Sequence, residues 1–548
     1  MLAPFACLGV LEGGLRLVGY GSGYPLFVES PEAPGYLEPN ADVISRYFAA
    51  EIAPALGINE SYFLQERPAD GLRIFVQGGS TAAGFPIGSS ASIAGMLGFR
   101  LRQSFPGRPV EVVDTALSAV NSHTLLDFAD EIIAEAPDAV VIYAGHNEFL
   151  GLFGVGSVYS GAGSYALTRL MFALDTLRSY QLARSLYVKA RLIFAGPGEP
   201  DAKTLMAVIA KRRDMPEGSG SYRRGIGQFR RNLERLLDKY KAAGIPVFVG
   251  TVASNLKDQP PFASTPLPAD AAAEAEATLA AIDDGRFDAV ANGSLERIET
   301  LAAQHASAAL YFAAARAREH RGDHAAAADD YALARDHDVL RFRAPSAINE
   351  VIRELAQATN AHLVDTEARL AAESGNGLIG SELMLEHLHP NVEGYFLIAD
   401  QFYLALRDSG VLGEMPRFIP TDAARREIPV LRAERYFQHA AIAHLKSDFP
   451  FSDTPREPEL PPISGPLDEL GHAFYTDSID WFEMAEAERD LLADDPLARA
   501  IASRLIADAR PYRSDLNARA ARDLLAADRP AEALPYIERA GGGAVSSD

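Results

Sequence analysis

The chain has 548 residues, enough for about two to four domains at roughly 100–200 residues each, which excludes a single small binding module. Asp plus Glu number 74 against 51 Lys plus Arg, a formal net charge of −23; that balance offers no cationic field to a phosphate backbone, so nucleic acid is not an expected partner. Hydrophobic residues make up 48% and charged residues 23%, a composition that builds a core, while the single cysteine, Cys7, excludes an intrachain disulfide and a Cys-based zinc cluster.

Met1 to Leu11 is almost wholly apolar, but Pro4 interrupts it and Glu12 and Arg16 follow. It is shorter than the ~20 residues of a membrane span and lacks the basic start of a secretory signal. Two readings stand: the tail of a membrane anchor, or a helix packed on the domain. The anchor, over residues 1–30, is the expectation carried forward, because Leu8, Val10, Leu11, Leu15, Leu17 and Val18 leave few polar positions for an exposed face. Pro4-Phe5-Ala6-Cys7 makes a poor lipoprotein processing site.

Five apolar runs of strand length follow: Leu72 to Gln77, Val110 to Asp114, Ala139 to Tyr143, Val247 to Thr251 and His362 to Asp365. They are rich in Val and Ile and do not alternate, as expected of buried parallel strands. Between them Thr124 to Glu135 places Leu125, Phe128, Ala129, Ile132 and Ile133 on one helical face, and Tyr222 to Ala243 runs as a helix to Gly244, ahead of Pro246. Strands alternating with helices predict a doubly wound α/β layer, in which ligands bind beyond the carboxyl ends of the strands.

The last two runs are too far apart for one crossover. A Pro-rich stretch around Pro260, Pro261, Pro266 and Pro268 opens this interval, and Ala-rich helix fills it. From Leu310 to Asp338 the spacing of Tyr311, Ala315, Gly322, Ala327, Tyr331 and Ala334 predicts two close antiparallel helices turning at Gly322-Asp323. This spacing resembles a tetratricopeptide unit; a generic Ala-rich hairpin is the alternative. Asn517, Ala521, Asp528, Ala533 and Ala540 repeat the intervals near the C-terminus, after a helical stretch from Asp480 to Leu505 and a Pro-rich linker from Phe449 to Pro466.

Three motifs carry chemistry, each at a predicted strand end. Gln77-Gly78-Gly79-Ser80-Thr81 follows the first strand, where glycine permits an unusual turn beside a serine hydroxyl and N–H. Tyr143-Ala144-Gly145-His146-Asn147-Glu148-Phe149 ends the third, and the Asn147 amide is a fixed neutral donor for an oxyanion; a helix-capping turn is the plainer reading. Glu386-His387-Leu388-His389-Pro390-Asn391 follows the last strand and precedes a helix from Gly394 to Leu406. There a histidine can act as general base toward a serine, with a carboxylate three residues earlier fixing its tautomer; a structural histidine or a His-x-His metal pair is the alternative.

In this order the three motifs resemble the SGNH (GDSL-like) hydrolase superfamily. The first block, Gly-Asp-Ser, corresponds to Gly78-Gly79-Ser80, the third, Gly-x-Asn-Asp, to Gly145-His146-Asn147-Glu148, and the last, Asp-x-x-His, to Glu386-His387-Leu388-His389. The second block supplies a glycine N–H, and its best match is Ala116 in Asp114-Thr115-Ala116-Leu117-Ser118. With the helical repeats, the whole looks like the bacterial membrane-anchored branch that joins this domain to tetratricopeptide repeats. The resemblance covers about residues 70–265 and 340–410. Three departures stand out: Gly79 for aspartate, Ala116 for glycine, and Glu386 for aspartate, with Asp365 and Glu148 as the other candidate acids.

The resemblance implies a three-layer α/β/α sandwich with a parallel sheet, plus inserted and C-terminal helical hairpins. Its parts would be residues 31–265 and 341–415 for the hydrolase-like domain, 266–340 for the inserted helices, and 416–548 for a linker and C-terminal repeats. It implies a serine esterase or O-acyltransferase acting on an acylated carbohydrate or cell-envelope component. Ser80 would be the nucleophile, His389 the base, Glu386 its orienter, and Asn147 with the Ser80 and Ala116 N–H groups the oxyanion donors; Gly79, His146 and Glu148 would line the pocket. No cofactor and no metal are expected. The repeats would recruit protein partners, and the catalytic domain would stand outside the cytoplasm on its N-terminal anchor. The reading from another class is a catalytically silent scaffold using the repeats.

Overall fold

The computed structural model describes residues 3–48, 57–156, 165–195 and 214–541. Among the described residues eight strands form two sheets. A small antiparallel sheet joins β1 (Phe27–Glu29), β2 (Tyr36–Pro39) and β3 (Phe63–Leu64); the main sheet holds β4 (Leu72–Gly78), β5 (Val110–Asp114), β6 (Ala139–Tyr143), β7 (Val247–Gly250) and β8 (His362–Val364). The main sheet is parallel throughout and ordered β5-β4-β6-β7-β8. Every residue of β4 and β6 is buried, because helices cover both faces; β6 is accordingly apolar throughout, and β4 is apolar apart from the buried Arg73 and Gln77.

On one face Gly220–Ala242 packs between Ser122–Ala134 and Ser346–Thr359; on the other Ile93–Ser104 packs against Val392–Ser409. This is the expected α/β/α sandwich. All five predicted strands form, and two end one residue early. Asp365 leaves the sheet because it instead caps the helix Thr366–Glu373, accepting a hydrogen bond from the Ala368 N–H at 3.2 Å, while the Thr251 N–H still donates to the Val364 carbonyl of β8 at 3.1 Å. The small sheet has no counterpart in the expectations. Its strands are two to four residues long, too short to show a period, and Phe27 and Phe63 fix it on Phe75 of β4 with ring centroids 5.4 and 5.7 Å away.

The insertion is helical, with the helices Ala269–Asp283, Asn292–His305, Ala308–His320 and His324–Asp336 sharing a small core of their own. The last two make the predicted hairpin. Gly322 turns between them at φ +80°, and Tyr331 packs edge-on against Phe312 with centroids 5.3 Å apart. Near the C-terminus Ser514–Ala526 and Pro530–Arg539 form the second predicted hairpin. The stretch Asp480 to Leu505 is two helices, Trp481–Leu491 and Pro496–Ala509, because Pro496 cannot continue a helix but can start one, with Asp495 as its cap.

The C-terminal helices dock on Ile93–Ser104. Arg504 lies over the Phe99 ring at 3.6 Å and pairs with Glu532 at 3.0 Å, while Arg102 pairs with Asp508 at 2.9 Å. The Pro-rich linker is pinned as well: its Phe451 packs against Phe262 and His387, centroids 5.1 and 5.4 Å away. The N-terminal helix Ala3–Leu17 is held by Glu12, which accepts from the Ser179 N–H at 2.8 Å, and by Arg16, which donates to the Thr176 carbonyl at 3.0 Å. Leu8, Val10, Leu11, Leu17 and Val18 nevertheless stay exposed. Among the described residues no helix is long and apolar enough to cross a membrane.

Candidate active site

β4 ends at Gly78, and the chain turns at once. The Gly79 carbonyl accepts from the Ala83 N–H at 3.1 Å and the Ser80 carbonyl from the Phe85 N–H at 3.0 Å. A Cβ at Gly78 would lie 2.3 Å from the Ala82 Cβ and the Tyr143 carbonyl oxygen, and one at Gly79 would lie 2.8 Å from the Asn147 amide nitrogen. Glycine at 79 therefore lets the Asn147 amide close over the turn. Ser80 itself is half-buried.

The loop after β8 brings His389. Leu385 N–H donates to the His389 carbonyl at 2.8 Å and Asn391 N–H to the Leu383 carbonyl at 2.9 Å, a narrow loop closed by Asn391 capping the helix Val392–Ser409. It presents His389 Nε2 to Ser80 Oγ at 2.8 Å across 309 residues of sequence. His389 Nδ1 hydrogen-bonds Glu386 Oε1, and the same oxygen accepts the His389 N–H at 2.8 Å. Both ring nitrogens are thus engaged. The longer glutamate reaches because it is three residues away on the same loop, folded back onto the imidazole. Phe85 covers the histidine face with its ring centroid 4.6 Å off.

Burial pulls the His389 imidazole down from 6.5 to about 3, since removing water penalises the charged form. The ring is then a neutral base at ordinary pH, and Glu386 supplies the opposite charge when it takes up a proton. On the far side of Glu386 sits His387, whose imidazole contacts Oε2 and whose N–H donates to it at 2.5 Å. Phe262, Phe342 and Phe451 surround that ring, centroids 5.2 to 5.9 Å away, and burial holds it well below its ordinary value, hence uncharged. The sequence named His387 only as half of a possible metal pair; its position against the carboxylate has no sequence signal.

The structure corrects the oxyanion side. The Ala116 N–H donates to Asp114 Oδ1 at 2.9 Å and is not free for substrate. The backbone beside Asn147 and Gly79 belongs instead to Ala119 and Val120: the Val120 carbonyl oxygen is 3.8 Å from the position of a Gly79 Cβ, and a Cβ at Gly151 would lie 2.5 Å from Asn147 Cβ and 2.6 Å from the Ala119 oxygen. Ala119 adopts φ +61°, a left-handed conformation costly for a residue with a side chain. Among the described residues its N–H meets no acceptor, and the Ser80 N–H likewise. Residue type gave no hint of this, because an alanine in a left-handed turn looks like any other alanine.

Glu148 is not a pocket residue. Fully buried, it accepts from Ser122 Oγ and Gln228 Nε2, each at 2.9 Å, and from the Ser122 N–H at 3.2 Å, so it fastens the start of the helix Ser122–Ala134. Burial raises it to about 7. Asp365 is committed to Arg353 at 3.1 Å and to Thr251 at 2.9 Å, leaving Glu386 as the acid at the histidine. His146 is buried behind the site, its Nδ1 accepting from the Ala344 N–H at 3.2 Å and its Nε2 without a partner among the described residues. Burial first, then the nearby His389, lowers it to about 3.

Solved structures of esterases and lipases are similar to this chain at low identity. One is a psychrotrophic esterase from Pseudoalteromonas, 11% identical, covering 62% of this chain and 97% of its own, with a TM-score of 0.27. Others are a GDSL-like lipase from Bacteroides thetaiotaomicron (12%, 63% and 93%, TM-score 0.28) and a catalytic mutant of an acetylxylan esterase from Geobacillus stearothermophilus (14%, 65% and 100%, TM-score 0.28). Neither a family model nor a curated protein sequence matches the chain.

Proposed function

We propose that the chain is a serine esterase or O-acyltransferase. The observation that carries this reading is the Ser80 Oγ to His389 Nε2 contact at 2.8 Å with Glu386 on the opposite ring nitrogen, at the carboxyl ends of parallel strands where such folds do chemistry. Ser80 Oγ attacks an ester carbonyl while His389 Nε2 takes its proton. Glu386 holds the Nδ1–H tautomer and balances the imidazolium. The oxyanion is held by the Asn147 amide and the Ser80 and Ala119 N–H groups. Collapse expels the alcohol, which receives the proton from His389 and leaves acyl-Ser80; water or an acceptor hydroxyl then takes the acyl group by the reverse path. Hydrolysis and transfer use the same residues.

The choice of an acylated carbohydrate or envelope component rests on the sequence resemblance. So does placement at the cell membrane on an N-terminal anchor, which the exposed apolar side chains of the helix Ala3–Leu17 support, and recruitment of protein partners by the helical hairpins. A chromogenic short-chain acyl ester tests the activity. A burst of alcohol release equal to the enzyme concentration, lost in a folded Ser80→Ala variant, is expected. No burst with any of a range of acyl esters would leave the scaffold reading.

A further inference from the structure

A cavity of about 520 Å³ lies away from the catalytic serine, between the edge strand β5, the small sheet and the C-terminal helices Trp481–Leu491 and Pro496–Ala509. Its volume is within the ~300–1,000 Å³ of small-ligand pockets, and neither Ser80, Asn147 nor His389 lines it.

The walls specify a chemistry. Half-buried rings come from three separate elements: Tyr36 on β2, Tyr62 ahead of β3, and Trp481 with Phe482 at the start of their helix. Three of the four cations in the lining are already matched by carboxylates, Arg102 to Asp508 at 2.9 Å, Arg539 to Asp508 at 3.1 Å and Arg510 to Glu60 at 2.5 Å, and the fourth, Arg108, donates to the Asp70 carbonyl at 2.7 Å. An ionic ligand would have to compete with these pairs for partners. A ligand with apolar ring faces and many hydroxyls would stack on the aromatics and share the fixed donors and acceptors without disturbing the pairs.

The position matters as much as the lining. Ile87 to Ser92 forms one wall and continues directly from the nucleophile turn, whose Ala82 carbonyl accepts the Ile93 N–H at 3.1 Å. Ser90 Oγ and Trp481 Nε1 both donate to the buried Glu434, at 2.9 and 2.7 Å, so the cavity's aromatic wall and the nucleophile loop share one carboxylate.

We propose that this cavity is a second, non-catalytic binding site for a neutral saccharide of one or two rings, on the back of the loop that carries Ser80. The proposal stands apart from the esterase reading. Trp481 is the chain's one tryptophan among 20 tyrosines, so emission excited selectively at the indole reports this wall alone. Titration with xylobiose, cellobiose and N,N′-diacetylchitobiose should give a saturating emission change with at least one sugar, unaltered in Ser80→Ala. Binding should weaken at least tenfold in Tyr62→Ala and in Ala509→Phe, which fills the space; folding of each variant is checked by circular dichroism. The proposal is overturned if no sugar changes the emission or gives heat in calorimetry. It is equally overturned if binding survives both variants, or if a fatty acid such as laurate shifts the emission and no sugar does.

Discussion

The two sides of the Ser80 cleft are built by different means. On the base side everything is side chain: Glu386, His387 and His389 lie within four residues of one short loop, and their order fixes who touches whom. On the proposed oxyanion side two of the three groups are backbone, the N–H groups of Ser80 and Ala119 that meet no acceptor among the described residues, and only the Asn147 amide is a side chain. A constellation of side chains depends on residue type, whereas a backbone donor depends on φ and ψ and survives most substitutions. The base side should therefore be brittle to mutation and the oxyanion side graded.

The largest expected effect is on the brittle side. Ser80→Ala or His389→Ala should lower kcat by about 10⁴- to 10⁶-fold with little change in KM, read by steady-state kinetics on the chromogenic ester. Glu386→Gln should follow at about 10⁴-fold, as expected when the base keeps its place but loses its tautomer and counter-charge. The pH profile sharpens the point. With His389 pulled down to about 3 by burial, the imidazole stays deprotonated through the pH range where a free histidine would gain its proton, so kcat/KM should stay flat from pH 8 to below 6. A profile falling with a midpoint near 6.5 would show that burial does not govern the ring, because water or the Glu386 charge offsets it.

On the graded side Asn147→Ala should cost about 10²- to 10³-fold in kcat. Ala119→Gly keeps the N–H and relieves the left-handed alanine, so it should keep full activity while stabilising the fold by about 1 kcal/mol, measured as a rise in Tm. Ala116→Gly should bring no such gain. If Ala116 rather than Ala119 proved sensitive to backbone change, the corrected assignment would fail.

The smallest effect is on stability. Burial raises Glu148 and Glu434 each from 4.5 to about 7. The folded chain then keeps two protons that the unfolded chain has released between about 4.5 and 7, so their stabilisation is complete below 4.5 and is lost as pH rises to 7. Glu148→Gln should flatten part of that slope and melt no lower than the parent at pH 8, with activity retained, since Glu148 fastens a helix rather than touching substrate.

The same contrast explains how much was legible beforehand. Strands β4, β6 and β7 were visible because burial on both faces leaves runs dominated by apolar residues, whereas β5 keeps Glu111 and the edge strand β8 exposes Leu363; Ser80, Asn147, Glu386 and His389 were visible because their chemistry resides in residue type. Ala116 was misplaced because its N–H is claimed by Asp114, a local hydrogen bond with no pattern in the sequence. Glu148 was misread because a carboxylate next to a catalytic motif looks the same whether it faces a cleft or Ser122 and Gln228. The pinned Pro-rich linker and the small sheet escaped because long-range packing, not local pattern, holds them.

Reaction with a fluorophosphonate ester tests the central claim most directly, because it traps an activated serine whatever the natural acyl group. Peptide mass spectrometry of the treated chain should find the phosphonyl adduct on Ser80, and the adduct should vanish in folded His389→Ala. Absence of label from Ser80 in the folded parent, or equal labelling with and without His389, would contradict a serine activated by that histidine.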